Sequence, residues 1–210
     1  MAIFGDLIEL DHKLTNRSTG TLNTRGLRSR DGGMLPKKGH GTSAAHYTPL
    51  ETANYIITSL TTFVPASQVA NEVKAFTDLH IDEVSHQNLV KDNKWHIQDG
   101  KVPRELNNFQ WALAFFIELA GDPERLSGKG WEALDRMYVR GTLTLRKSVD
   151  TREAIIQLEP TSKKGQQLII SYSSPVPATR RDLYPVYESV TVSLSFVAEF
   201  GVLLAGASND

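Results

Sequence analysis

Cysteine is absent from the 210 residues of this chain. That excludes a disulfide framework, a thiolate zinc site and a cysteine nucleophile, and it fits a reducing cytoplasm. Long apolar runs are absent too. The longest, residues 111–117, falls far short of the ~20 residues that span a bilayer. Residues 1–14 interrupt their apolar positions with Asp6, Glu9 and Asp11 and have no basic start, so neither a secretory leader nor a membrane partner is expected. Hydrophobic residues make up 40% and charged residues 22%. This is the composition of a globular protein able to bury a core without staples.

Net charge is nearly absent as well, at −1, but it is unevenly placed. Between positions 17 and 46 stand Arg17, Arg25, Arg28, Arg30, Lys37 and Lys38, opposed by Asp31 alone, with His40 and His46 beside them. Cations gathered in one segment build a local positive potential and imply an anionic partner.

Motifs for catalysis are missing. Gly39-His40-Gly41 lacks the strand and the third glycine of a dinucleotide fingerprint, and Ser127-Gly128-Lys129-Gly130 is only a fragment of a phosphate loop. His40 and His46 have no further ligands at metal spacing. His80 and His86, near Asp82 and Glu83, have no nucleophile to serve and read as a solvated helix end. Trp95, Trp111 and Trp131 read as packing residues. No enzyme, cofactor or metal site is expected.

Apolar spacing in residues 3–14 predicts a first helix. Ser18-Thr19-Gly20-Thr21 supplies turn and cap residues, and a short basic helix is expected over 22–30, weakened by Gly26 and stopped by Gly32-Gly33. Residues 37–47 read as an exposed, hairpin-like basic loop. The clearest local signal is Thr48-Pro49-Leu50-Glu51, a capping box with proline at the first helical position. It predicts a helix over 49–62. Val69, Val73, Phe76 and Leu79 predict another, and 106–120 a further one. A short helix is expected around Trp131 and Leu134.

The period then changes to two. Strands are expected at 137–145, 154–158, 168–172 and 190–196, forming an antiparallel sheet with one buried face. Turns are expected at Lys163-Lys164-Gly165 and in the proline-rich stretch 175–185.

The order of helix, turn, basic helix, basic loop and capped helix suits DNA. A short helix can enter the major groove while a neighbouring loop meets the backbone. Arginine pairs with guanine or phosphate, and lysines on a glycine-bearing loop meet phosphates. The expected DNA-binding set is Arg17, Thr19, Thr21, Asn23, Arg25, Arg28, Arg30, Lys37, Lys38 and His40. Arg25 and Arg28 are expected at base edges or phosphate, and Arg17 and Arg30 at phosphate. Lys37, Lys38 and His40 form the wing contacts.

Three of these motifs, Thr21-Leu22, Gly33-Met34-Leu35-Pro36 and His46-Tyr47-Thr48, fall where the DNA-binding domain of MerR-type regulators has its own. Over about 40 residues the chain resembles that winged helix-turn-helix domain. It departs in having His46 where the family has arginine, and in lacking the long dimerising helix. Over most of its length, through Gly39-His40-Gly41, Ser43-Ala44, Thr48-Pro49 and the stretch 109–113, it is similar to proteins of unassigned activity from phages and prophages of alphaproteobacteria.

The resemblances imply a DNA-binding transcriptional regulator acting in the cytoplasm of a bacterial host cell, with double-stranded DNA as partner and a homodimer as its form. The alternative is a phage accessory protein that binds another protein through its sheet, without catalysis. The expected fold is α+β, with a winged helix-turn-helix domain over 1–81, a polar linker over 82–103, and a helix-plus-antiparallel-sheet domain over 104–210 for dimerisation, partner or effector binding.

Overall fold

Thr48 opens the helix around which the rest of the chain is arranged. Its Oγ1 accepts from the Glu51 amide at 3.2 Å, and its own amide donates back to Glu51 Oε2 at 2.9 Å, so the capping box expected from sequence is formed. In a computed structural model, which describes residues 2–37, 46–92, 104–122, 141–148, 151–159, 167–174 and 187–206, this helix runs Pro49–Leu60 with every residue from Thr52 onward buried. A helix buried all round belongs in the interior. It is α3, preceded by α1 (Phe4–Thr15) and α2 (Thr19–Asp31) and followed by α4 (Val69–Thr77). It packs against α2 and α4, and against α6 (Phe109–Gly121) and the C-terminal helix α7 (Leu194–Gly206).

The sheet is five-stranded and antiparallel. Its strands are β1 (His80–Ile81), β2 (Thr142–Lys147), β3 (Arg152–Leu158), β4 (Leu168–Ser173) and β5 (Glu188–Ser193), in the order β1-β4-β3-β2-β5. Register sets Leu143 opposite both Ile156 and Val192, and Ile156 opposite Ile170. Because side chains alternate, Leu143, Leu145, Ala154, Ile156, Leu158, Ile170 and Tyr172 form one buried face. The opposite face carries Thr144, Ile155, Gln157 and Ser171, all half-exposed. This is the α+β class and the one-sided sheet that the period-two pattern predicts.

The division into two separately packed halves is where fold and expectation part. One cluster of buried apolar side chains runs from Ala2 and Leu7 through Tyr55, Phe76 and Phe116 to Leu143, Ile170 and Phe200. Tyr55 lies 6.0 Å from Phe4 and 5.8 Å from Phe200, ring centroid to centroid. Backbone bonds also cross the expected boundary. The Phe109 amide donates to Leu79 O, the Ile81 amide donates to Asn107 O, and β1 joins the sheet through β4. On α4, Glu72 takes the Arg152 guanidinium of β3 through both carboxylate oxygens, one of them at 3.0 Å from Nη2.

The polar stretch from 82 onward is not wholly a linker either. Glu83–Asp92 forms α5, started by Asp82 Oδ1, which accepts from the Ser85 amide at 2.7 Å. Ser85 and Leu89 are buried, and Ser85 Oγ accepts from the Ser171 amide of β4. Two buried residues one turn apart suffice to dock a helix whose composition is polar overall. Two further boundaries differ. α2 begins at Thr19, because Ser18 caps it. The fourth long strand stops at Ser193, whose Oγ accepts from the Phe196 amide and so turns the chain into α7.

Residues 38–45 of the expected basic loop 37–47, the helix at Trp131 and Leu134, the strand start at 137–139, the turn at 163–165 and the loop 175–185 lie outside the described residues. At the end of that expected loop Tyr47 is buried, not exposed, its amide donating to Ala2 O at 2.9 Å. Among the described residues, no helix is long and apolar enough to cross a membrane.

Buried tyrosines give the fold a measurable alkaline limit. Burial, reinforced by Asp11, raises the Tyr55 hydroxyl above its ordinary value; its proton is donated to Asp11 Oδ2 at 3.2 Å. Burial, with the Asp82 charge, raises Tyr172. The folded chain therefore keeps both protons where the unfolded chain, with tyrosines near pH 10, releases them. With more protons bound folded than unfolded, stability falls as pH rises past about 10, by up to ~2.7 kcal/mol per pH unit for two groups. The Tyr172 hydroxyl has no hydrogen-bond partner among the described residues. Tyr172→Phe is expected to leave neutral-pH stability nearly unchanged and to lower the alkaline slope by about 1.4 kcal/mol per pH unit, with Tyr55 and the likewise buried and raised Tyr47 keeping their shares, as read by urea unfolding at a series of pH values.

Candidate nucleic-acid interface

Three residues separate α1 from α2. Asn16 ends α1 in the left-handed region at φ 57°, its amide donating to His12 O. This is a conformation asparagine tolerates better than most residues. The Ser18 hydroxyl then caps α2 by accepting from the Thr21 amide at 3.2 Å.

The inward side of α2 is closely built. Leu22, Arg25, Gly26 and Ser29 are buried. A Cβ on Gly26 would fall 2.3 Å from Phe4 Cζ, so that glycine is the notch in which the Phe4 ring lies. The Arg30 guanidinium covers the same ring, its Cζ 3.7 Å from the ring centroid, and Tyr47 stacks against Phe4 at 6.3 Å.

Arg25 is the centre of this seat and is only 7% exposed. Its Nε donates to Thr58 O at 3.3 Å, Nη1 to Val64 O at 3.0 Å, and Nη2 to Thr61 O and to Thr61 Oγ1. Arg17 Nη1 donates to Ser59 O at 2.7 Å and to Ser59 Oγ at 2.8 Å. Two guanidiniums thus satisfy carbonyls around the C-terminal end of α3, where backbone acceptors are left over and the helix dipole is negative. Burial first, and then the neighbouring Arg17 charge, lowers the Arg25 guanidinium from its ordinary value.

The outward side of α2 has Thr19, Gly20, Thr21, Asn23, Thr24, Leu27 and Arg28, all exposed. Thr24 Oγ1 donates to Gly20 O at 2.9 Å. The Arg28 guanidinium lies 3.7 Å from Asp31, with 60% of its side chain exposed; such a pair is worth little in water and is readily exchanged.

The expected contact set therefore divides. Thr19, Thr21, Asn23 and Arg28 come together on the solvent side of α2, and Lys37 is exposed beyond its end. Arg17 and Arg25 face inward as backbone clamps, and Arg30 lies over an aromatic ring. For Arg25 this corrects the assignment to base edges or phosphate, since its Nε, Nη1 and Nη2 all donate within the fold. Arg17 donates through Nη1 alone, and Arg30 Nε has no partner among the described residues. Lys38 and His40 lie outside the described residues. Sequence reading passed over Gly20, Thr24 and Leu27, although their four- and three-residue spacing marks one helical face.

Elsewhere a cleft of about 480 Å³ opens between Tyr47, Pro49, the end of α6 at Ile117 and Gly121, and the end of α7 at Leu204. Among the described residues, no three histidine or acidic side chains gather as metal ligands would. No family model, curated protein or solved structure matches this chain.

Proposed function

We propose that this chain binds duplex DNA through the outward side of α2 and acts as a transcriptional regulator of the phage or prophage type, in the cytoplasm of a bacterial host. One observation carries the reading: α2 is fastened along one side and bare along the other. The fastened side is fixed by Leu22, Arg25, Gly26 and Ser29, and the bare side presents short hydrogen-bonding groups, Leu27 and an arginine. A helix held rigidly with a polar, narrow outer side can enter a major groove.

In this arrangement Asn23 has the amide that pairs with an adenine edge, and Arg28 the fork that meets guanine or phosphate. Lys37, with Lys38 and His40 next in sequence, meets the backbone. A homodimer would set two such helices on half-sites a helical turn apart.

The test is a titration of labelled duplexes, drawn from the DNA flanking the protein's own gene, with the full chain at about 50 mM and about 200 mM salt. Wild type is expected to bind and to weaken steeply as salt rises, because counterions are released at each neutralised phosphate. The double variant Asn23→Ala/Arg28→Ala is expected to lose about 30-fold or more in affinity, on the basis of ~1–3 kcal/mol per contact. Both changes are on exposed positions, so its melting temperature should match wild type. Absence of binding by wild type, or equal binding by the double variant, overturns the reading.

A second reading rests on β5. Among the described residues it pairs only with β2, and its side chains are exposed or half-exposed along its whole length. Such an edge accepts a strand from another protein. An accessory protein working this way would hold its partner at high salt, where a duplex would be released.

A further inference from the structure

Most glycines packed into the described helices have an internal reason. A Cβ on Gly26, Gly121 or Gly201 would come within 2.7 Å of another atom. Gly206 stands at the end of α7, where glycine commonly terminates a helix. Gly5 and Gly20 differ: each lies inside a helix, and a Cβ on either would meet nothing within 4 Å. Neither has the positive φ that would require glycine. Alanine would fit at both and would strengthen the helix.

The surroundings of the two diverge. One turn beyond Gly5 stands the exposed carboxylate Glu9, which repels phosphate. Beyond Gly20 stand Asn23, Thr24 and Leu27, all exposed, with the exposed cations Arg28 and Lys37 further along the chain. Gly20 therefore leaves a gap at the N-terminal end of an outward face, next to groups suited to nucleic acid.

We propose that Gly20 is the position at which the α2 backbone comes closest to bound duplex, the missing Cβ leaving room for the groove wall between Thr19, Asn23 and Thr24. Glycine is used where a backbone must approach a ligand closely, and here none of the described residues occupies the space. The inference rests on the DNA-binding reading and names a contact position within that surface.

The experiment compares Gly20→Ala with Gly5→Ala in the full chain. Both are expected to raise the thermal midpoint by about 2 °C, since each removes conformational freedom from the unfolded chain. Gly20→Ala is expected to weaken duplex binding about tenfold, equivalent to about 1.4 kcal/mol, while Gly5→Ala binds as wild type does. Unchanged binding by Gly20→Ala overturns the proposal, as does an equal loss in both variants. If wild type itself fails to bind any duplex, the underlying reading has failed, and that outcome is distinct from the other two.

Discussion

Replacing Arg25 with methionine is expected to cost about 4 kcal/mol of stability and to leave the proposed DNA-contacting surface chemically intact. Methionine matches much of the arginine's length and apolar stem, so the loss isolates the guanidinium. That group donates to Thr58 O, Thr61 O, Thr61 Oγ1 and Val64 O at a site 7% exposed. Without it, several buried carbonyls lose their partners, each worth about 1–3 kcal/mol when left unsatisfied.

Arg25→Lys is expected to recover little. A single ammonium cannot replace a planar fork that reaches acceptors on both sides of a helix end. Urea unfolding measures the loss, and duplex titration of the fraction still folded measures binding. A variant that keeps its stability to within about 1 kcal/mol and loses DNA affinity would restore Arg25 to the DNA-contacting set and remove the clamp.

The next largest effect is expected where α6 crosses α7. A Cβ on Gly201 would lie 2.1 Å from Ile117 O and 2.9 Å from Ala120 Cβ, and one on Gly121 would lie 2.7 Å from Gly201 O. The two backbones touch, so the obstructing atoms belong to helices and cannot swing aside as a side-chain tip can. Gly201→Ala is expected to cost about 3 kcal/mol, at the upper end of overpacking penalties, and Gly201→Val more. Phe200 beside it packs against Tyr55 of α3 and Phe196 of α7, so separating the helices also loosens the shared core. A melting temperature for Gly201→Ala within about 2 °C of wild type would show that the crossing is wider than described.

Both predictions fall on residues whose role could not be seen in the chain. Composition treats arginine as a surface cation, and that assumption made Arg25 and Arg17 appear as ligand contacts. Their actual partners are carbonyls 33 to 42 residues away, at the far end of another helix. Gly26 read as a weak point in a helix because propensity ignores what lies beside it, and what lies beside it is Phe4. The same limit hid the shared core: a polar stretch resembles a linker until Ser85 and Leu89 are seen docked on β4.

Local order was determined by the sequence alone. The capping box at Thr48 and the alternation in β2 to β4 each depend on neighbours a few residues apart, and local hydrogen bonds and side-chain period act at that range. The allocation of charge was decided by the tertiary structure. Which guanidiniums bind backbone, which cover a ring and which reach solvent depends on where remote helix ends come to rest, and no spacing along the chain encodes that.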